Sequence, residues 1–195
     1  MSSFSDLVLT SLVNYGAPAL GVALLIGALG VPVPGTVLLI AGGAFVRQGF
    51  IGLTEAALYG FIGAVLGDHM GFFIGRFGGH WVNRRFAGSS LWGQAQTVFG
   101  RYGGASIYLT RFAITSLAIP VNLIAGGSSY RLGRFTAYDL LGELTWVALF
   151  GGLGYAFGSQ WEEISTLVQD FGGMAVGVAA LIAGIIMGIR MLRRR

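Results

Sequence analysis

Long apolar runs separated by short polar stretches dominate this chain. Three runs, 54–75, 137–158 and 172–189, are bounded by charged residues and read as spanning helices. About 20 apolar residues are enough to cross a hydrocarbon layer of ~30 Å. Two further runs, 17–46 and 105–127, are as apolar but interrupted. The first holds Val31-Pro32-Val33-Pro34-Gly35-Thr36 and then Leu39-Ile40-Ala41-Gly42-Gly43. The second holds Ile119-Pro120-Val121-Asn122 and then Leu123-Ile124-Ala125-Gly126-Gly127. Proline removes a backbone donor and clashes with the preceding turn. The prolines and the glycine pairs therefore predict two broken helices, with Pro32, Pro34, Pro120, Gly42, Gly43, Gly126 and Gly127 as the breaking positions. Residues 5–16 read as a short interfacial helix.

The two broken runs share Leu-Ile-Ala-Gly-Gly, with Gly42 and Gly126 separated by 84 positions (126 − 42). A second match, Met70-Gly71-Phe72-Phe73-Ile74-Gly75 with Leu153-Gly154-Tyr155-Ala156-Phe157-Gly158, has an offset of 83 (154 − 71). The unit of broken segment plus spanning helix thus occurs twice. Paired broken segments in the two halves of a membrane chain point to a transport site. Charge orients the units. Residues 76–104 contain Arg76, Arg84, Arg85 and Arg101 without an acid, and Arg131 and Arg134 follow the second broken run. Arginine-rich loops stay cytoplasmic. The run 105–127 then starts and ends on the cytoplasmic side, which makes it re-entrant, and the first broken run opens to the other face. The predicted fold is an all-α integral membrane domain: an inverted repeat of re-entrant hairpin plus transmembrane helix, with a C-terminal transmembrane helix and a cytoplasmic C-terminus.

Composition narrows the class. The chain of 195 residues is 54% hydrophobic and 10% charged, against about 25% charged in soluble domains. The net charge of +4 comes from arginines that act as topology signals, so nucleic-acid binding is not indicated. There is no cysteine and there are only two histidines, which excludes disulfides and thiolate metal sites and argues against an imidazole metal site. The first 16 residues lack a basic start and contain Asp6, so no cleavable signal is expected. No nucleophile–base spacing, phosphate-binding loop or metal-ligand cluster is visible. Neither an enzyme nor a cofactor is expected.

Charges inside apolar runs need partners, because an unpaired charge at membrane depth is costly. Arg111 lies nine residues before Pro120. Asp68 lies in the first spanning run, and Asp139 and Glu143 stand at i, i+4 in the second. Asp68 and Glu143 are the deeper candidates for counter-charge or proton exchange. Asp139 is a third such candidate, with the headgroup-facing position as its simpler expectation, and His69 is expected to be a packing or headgroup residue, with proton relay beside Asp68 as the alternative. A paired arginine can grip phosphate in a forked geometry. Gly35, Thr36 and Asn122, at the breaks, would add neutral donors.

These residues carry a family resemblance. Pro34-Gly35 with the following Leu-Ile-Ala-Gly-Gly, Gly67-Asp68, Gly75-Arg76-Phe77-Gly78, Thr110-Arg111-Phe112, Ala125-Gly126, Arg134-Phe135 and Gly142 to Trp146 occur in an order that resembles the DedA family of VTT-domain proteins. The resemblance covers residues 30–158. It implies opposed re-entrant hairpins and movement of polyprenyl phosphate or phospholipid across the bacterial inner membrane, with links to the proton motive force. It carries the family's arginine to Arg111 and its intramembrane aspartate to Asp68. The chain departs from the pattern in two places. Thr36 stands where an acid is common, with no acid between Asp6 and Glu55, and Leu117 stands where a second arginine is common. The expected function is lipid-phosphate translocation, with protons as candidate co-substrate and a homo-oligomer left open. The alternatives are a proton-coupled small-ion or solute transporter and a non-transporting assembly protein.

Overall fold

The computed structural model describes residues 15–160, all in helices and short connections. The predicted segments 5–16 (all but its last two residues) and 172–189 lie outside the described residues. Eight α-helices follow in order: α1 Ala17–Ala28, α2 Gly35–Arg47, α3 Leu53–Phe86, α4 Ser90–Tyr102, α5 Gly104–Phe112, α6 Ala118–Gly127, α7 Leu132–Trp146 and α8 Gly152–Ala156. A 3-10 turn, Thr115–Leu117, links α5 to α6, and a π-helical stretch, Val147–Gly151, joins α7 to α8.

α3 has 34 residues and is the one described helix long and apolar enough to cross a membrane. At 1.5 Å per residue it spans about 51 Å, more than the hydrocarbon layer. It runs eleven residues beyond the expected end at Gly75, so much of the basic region 76–104 is helical rather than looped; α4 supplies most of the rest. Its two faces reverse the pattern of a soluble helix. Gly60, Gly63, Gly67, Gly71 and Gly75 are buried, while Leu58, Ile62, Leu66, Met70, Phe73 and Phe77 are exposed. Small residues inside and large apolar residues outside suit a helix solvated by lipid.

The glycine face explains the packing. A Cβ on Gly63 would overlap the Gly21 carbonyl, which seats α1 on the first half of α3. A Cβ on Gly75 would overlap the Leu123 carbonyl, which seats α6 on the second half. In the other half of the chain α5 packs on α7, and α2 packs on the π stretch and α8. There Gly154 meets the Ile40 carbonyl and Gly43 meets the Gly151 carbonyl. Each first limb therefore lies against the long helix that follows it, and each second limb lies against the long helix of the other half.

Both expected interruptions occur, with corrections to where the chain breaks. The first is as read: Gly30 adopts φ 101°, and Pro32 and Pro34 hold the chain out of helix until α2 starts at Gly35. The second break is at Ala113–Leu117, upstream of Pro120. Pro120 is the third residue of α6, in the first turn, where its missing N–H leaves no helical bond unmade. Gly42 and Gly43 do not break α2, which continues to Arg47, and Gly126 and Gly127 close α6. Gly43 and Gly126 serve as close-approach positions.

Candidate functional site

Between the two larger apolar clusters of the core lies a layer of charge. On α3 the buried series Ala64, Asp68, Phe72 passes from one cluster through an acid to the other. On α7 the series Trp146, Glu143, Asp139, Phe135 does the same. These α7 residues, with Gly142, share one helix face by their i, i+3, i+4, i+7 spacing. Arg111, near the end of α5, enters this layer because Gly142 has no side chain: a Cβ there would stand 2.6 Å from Arg111 Cγ. Gly71 likewise lets Asn122 approach, with 3.4 Å between a hypothetical Cβ and that of Asn122.

Arg111 is 3% exposed and is the hub of the layer. Its Nε donates to Asp139 Oδ1 at 2.8 Å, and its Nη2 lies 2.7 Å from the same oxygen. Nη2 also donates to Asn122 Oδ1 at 2.7 Å. Nε is 3.3 Å from Asp68 Oδ2 and 3.4 Å from Glu143 Oε1. Asn122 Nδ2 donates to Asp68 Oδ1 at 2.7 Å, so the amide bridges the cation to a carboxylate. Arg111 Nη1, Asp139 Oδ2 and Glu143 Oε2 are buried without a hydrogen-bond partner among the described residues. One guanidinium faces three carboxyls. Fully ionised, the group would carry a formal charge of −2.

A cavity of about 510 Å³ opens beside this cluster. Its walls come from both breaks: Gly30 to Val37 on one side, and Thr115, Ser116, Ala118 and Ile119 on the other. Asp68, Arg111 and Glu143 line it. Trp146 closes another wall, and its indole N–H donates to Thr36 Oγ1 at 3.2 Å. No side chain caps the N-terminus of α2 beside it.

The expected residues are thus partly assembled. Arg111, Asp68 and Glu143 meet, and Gly35 and Thr36 share their cavity. Asn122 is fully buried and behind the cavity wall; its amide is taken up by Arg111 and Asp68, so it positions charges instead of facing the cavity. Asp139 stands as a counter-charge and does not face headgroups: it is 0% exposed and is the nearest carboxylate to Arg111. A helix face carrying Asp139, Gly142, Glu143 and Trp146 together was the signal for its burial. His69 joins this network through Asp139, at 3.3 Å. Asp68, Asp139 and Glu143 also lie close enough together to resemble a metal cage, but Arg111 occupies the position a cation would take.

Comparison with known proteins places the chain among membrane proteins. An undecaprenyl phosphate transporter A of Bacillus subtilis is 26% identical over 88% of this chain and 86% of its own length. An uncharacterized membrane protein of Synechocystis is 29% identical over 93% and 85%. The protein DedA of Escherichia coli is 33% identical over 64% and 53%. No solved structure matches. These relatives agree with the apolar exterior in making this a membrane protein of a transporter-containing group. The VTT-domain family model matches residues 33–156, from the first break to the end of α8, and the chain belongs to that family, the DedA family of membrane proteins.

Proposed function

We propose that the chain is a lipid translocase of the bacterial inner membrane that moves a phosphate-bearing lipid, polyprenyl phosphate or phospholipid, with Arg111 receiving the headgroup. The observation that carries this reading is Arg111 in the cavity wall with one nitrogen unpaired: Nε and Nη2 are held by Asp139 and Asn122, while the buried Nη1 has no partner. A planar guanidinium fixed on one edge is preorganised to take an oxyanion on the other. The N-terminal end of α2, at Gly35 and Thr36, adds the positive end of a helix dipole. The Bacillus relative is named for undecaprenyl phosphate, the same headgroup chemistry.

The acid-rich cluster sets a condition. An anion cannot settle beside Arg111 while Asp68 and Glu143 both remain charged at 3.3 and 3.4 Å. Headgroup binding therefore displaces one of them from the guanidinium, and that carboxylate takes up a proton. Glu143 Oε2, buried and unpartnered, is the oxygen available for it. The two broken segments act as re-entrant hairpins meeting from opposite faces, in an inverted repeat with the C-terminus in the cytoplasm. The cavity between their turns lets a headgroup cross while the tail stays in lipid.

Proteoliposomes carrying a fluorescent prenyl phosphate test this. Wild-type protein should move the headgroup between leaflets, and Arg111→Lys should slow it by about a hundredfold, because a point charge does not reproduce the fork. A folded Arg111→Ala protein with full activity would overturn the proposal.

A further inference from the structure

We propose that His69 is the port through which protons reach and leave the Arg111 cluster, from the side away from the cavity; this rests on the proton uptake inferred above. The cavity is lined by Asp68, Arg111 and Glu143, but not by Asp139. Asp139 lies behind them and has two different edges. Its Oδ1 is saturated by Arg111. Its Oδ2 is buried, has no hydrogen bond, and lies 3.3 Å from His69 Nδ1. The other ring nitrogen, Nε2, is 2.9 Å from the Thr136 hydroxyl. The His69 side chain is 19% exposed, and Thr136 is half-buried. The imidazole thus has one nitrogen beside a dry carboxylate and the other on the hydroxyl of half-buried Thr136.

The ring is held for this task. Nδ1 is 2.8 Å from the Val65 carbonyl, and the Phe135 ring stands edge-on at 5.3 Å. The groups facing it are few. α7 presents Asp139, with Glu143 beyond it; α3 presents the neighbouring Asp68; α5 presents Arg111 through Asp139; and α6 presents neutral Asn122. Arg76, one turn further along α3 than Phe72, lies over that ring and bonds the Tyr130 carbonyl. One carboxyl oxygen from each of Asp68, Asp139 and Glu143 lies within 4.8 Å of the others, so a proton that reaches Asp139 has a short path to the cavity acids.

The step balances on the ring. A proton from water binds at Nε2, giving imidazolium, and the Nδ1 proton passes to Asp139 Oδ2. The ring is left neutral as the Nε2–H tautomer, and a ring flip or the return transfer restores the starting form. Asp139 hands its proton on to Asp68 or Glu143 as the headgroup takes their place on Arg111.

A merely structural His69 would bridge α3 to α7 by hydrogen bonds, which glutamine also makes. The test uses the full chain in proteoliposomes, with and without an imposed pH gradient. In His69→Gln the response of prenyl phosphate movement to the gradient should fall by about a hundredfold, the scale of losing a positioned proton-transfer group. Movement without a gradient should also slow, because each headgroup bound needs a proton, while the midpoint of thermal unfolding should stay close to wild type. A His69→Gln protein that responds to the gradient like wild type overturns the inference, as does a wild type that does not respond. A second measurement needs no lipid movement and separates this inference from the translocase reading. The chain has no cysteine, so His69→Cys gives a single thiol. A small charged thiol reagent should modify it from the membrane face that labels Arg134→Cys and not from the face that labels Gln48→Cys. Protection from both faces means no water reaches this position, and overturns the port even if the protein translocates lipid.

Discussion

Arg111 shows how one buried cation organises its surroundings. Its removal would leave Asp68, Asp139 and Glu143 together without a counter-charge, and breaking a buried pair in this way costs about 3–5 kcal/mol. Arg111→Ala should therefore lower the thermal midpoint, and Arg111→Ala with Glu143→Gln should recover part of the loss; a thermal melt in detergent reads both. Asn122→Ala removes one hydrogen bond from Arg111 and one from Asp68 and should cost about 1–3 kcal/mol. Asn122→Asp should be worse, because it adds a fourth acid to one cation. Arg111 was legible as the arginine within a broken apolar run. Its nearest carboxylate was not, since a residue near the start of the predicted run 137–158 reads as interfacial until α5 is known to pack over it.

At the scale of the elements, glycine decides which helices touch. Gly75 and Gly154 occupy equivalent places in the two halves: a side chain on either would overlap a carbonyl of the opposing second limb, Leu123 or Ile40. Gly154→Ala should destabilise by about 1–3 kcal/mol through overpacking. Gly152→Ala, in the same helix with nothing within 4 Å, should be neutral or slightly stabilising. Comparing the two unfolding midpoints separates packing from helix propensity. The sequence repeat aligns Gly154 with Gly71, yet packing pairs it with Gly75, a displacement of one helical turn. The π-helical residues Val147–Gly151, just before Gly154, alter the turn count of that helix relative to α3.

For the whole molecule, the testable property is which membrane face each segment reaches. If both broken runs are re-entrant, single cysteines at Tyr15 and Gln48, flanking the first, should react with an impermeant reagent from one face. Cysteines at Arg101 and Ser128, flanking the second, should react from the other. The cysteine-free chain needs no background substitutions. A pair whose two members label from opposite faces would make that run a kinked transmembrane helix. Residues at the two turns, such as Val31 and Ser116, line one cavity, and their accessibility should change together when prenyl phosphate is added.

The sequence by itself determined the solvent and the grammar of this protein. Apolar run lengths and scarce charge make it a membrane protein, and Pro32 and Pro34 interrupt the first of the two broken runs. These are local properties, set by hydropathy and by what a backbone can adopt. Only the tertiary structure decided what meets across the halves. It placed the second break at Ala113–Leu117, made Asp139 the closest partner of Arg111, turned Asn122 inward as a bridge, and set His69 against Asp139. Those outcomes depend on which helices approach closely enough for side chains to reach, and the glycines that permit the approach say nothing about which partner arrives.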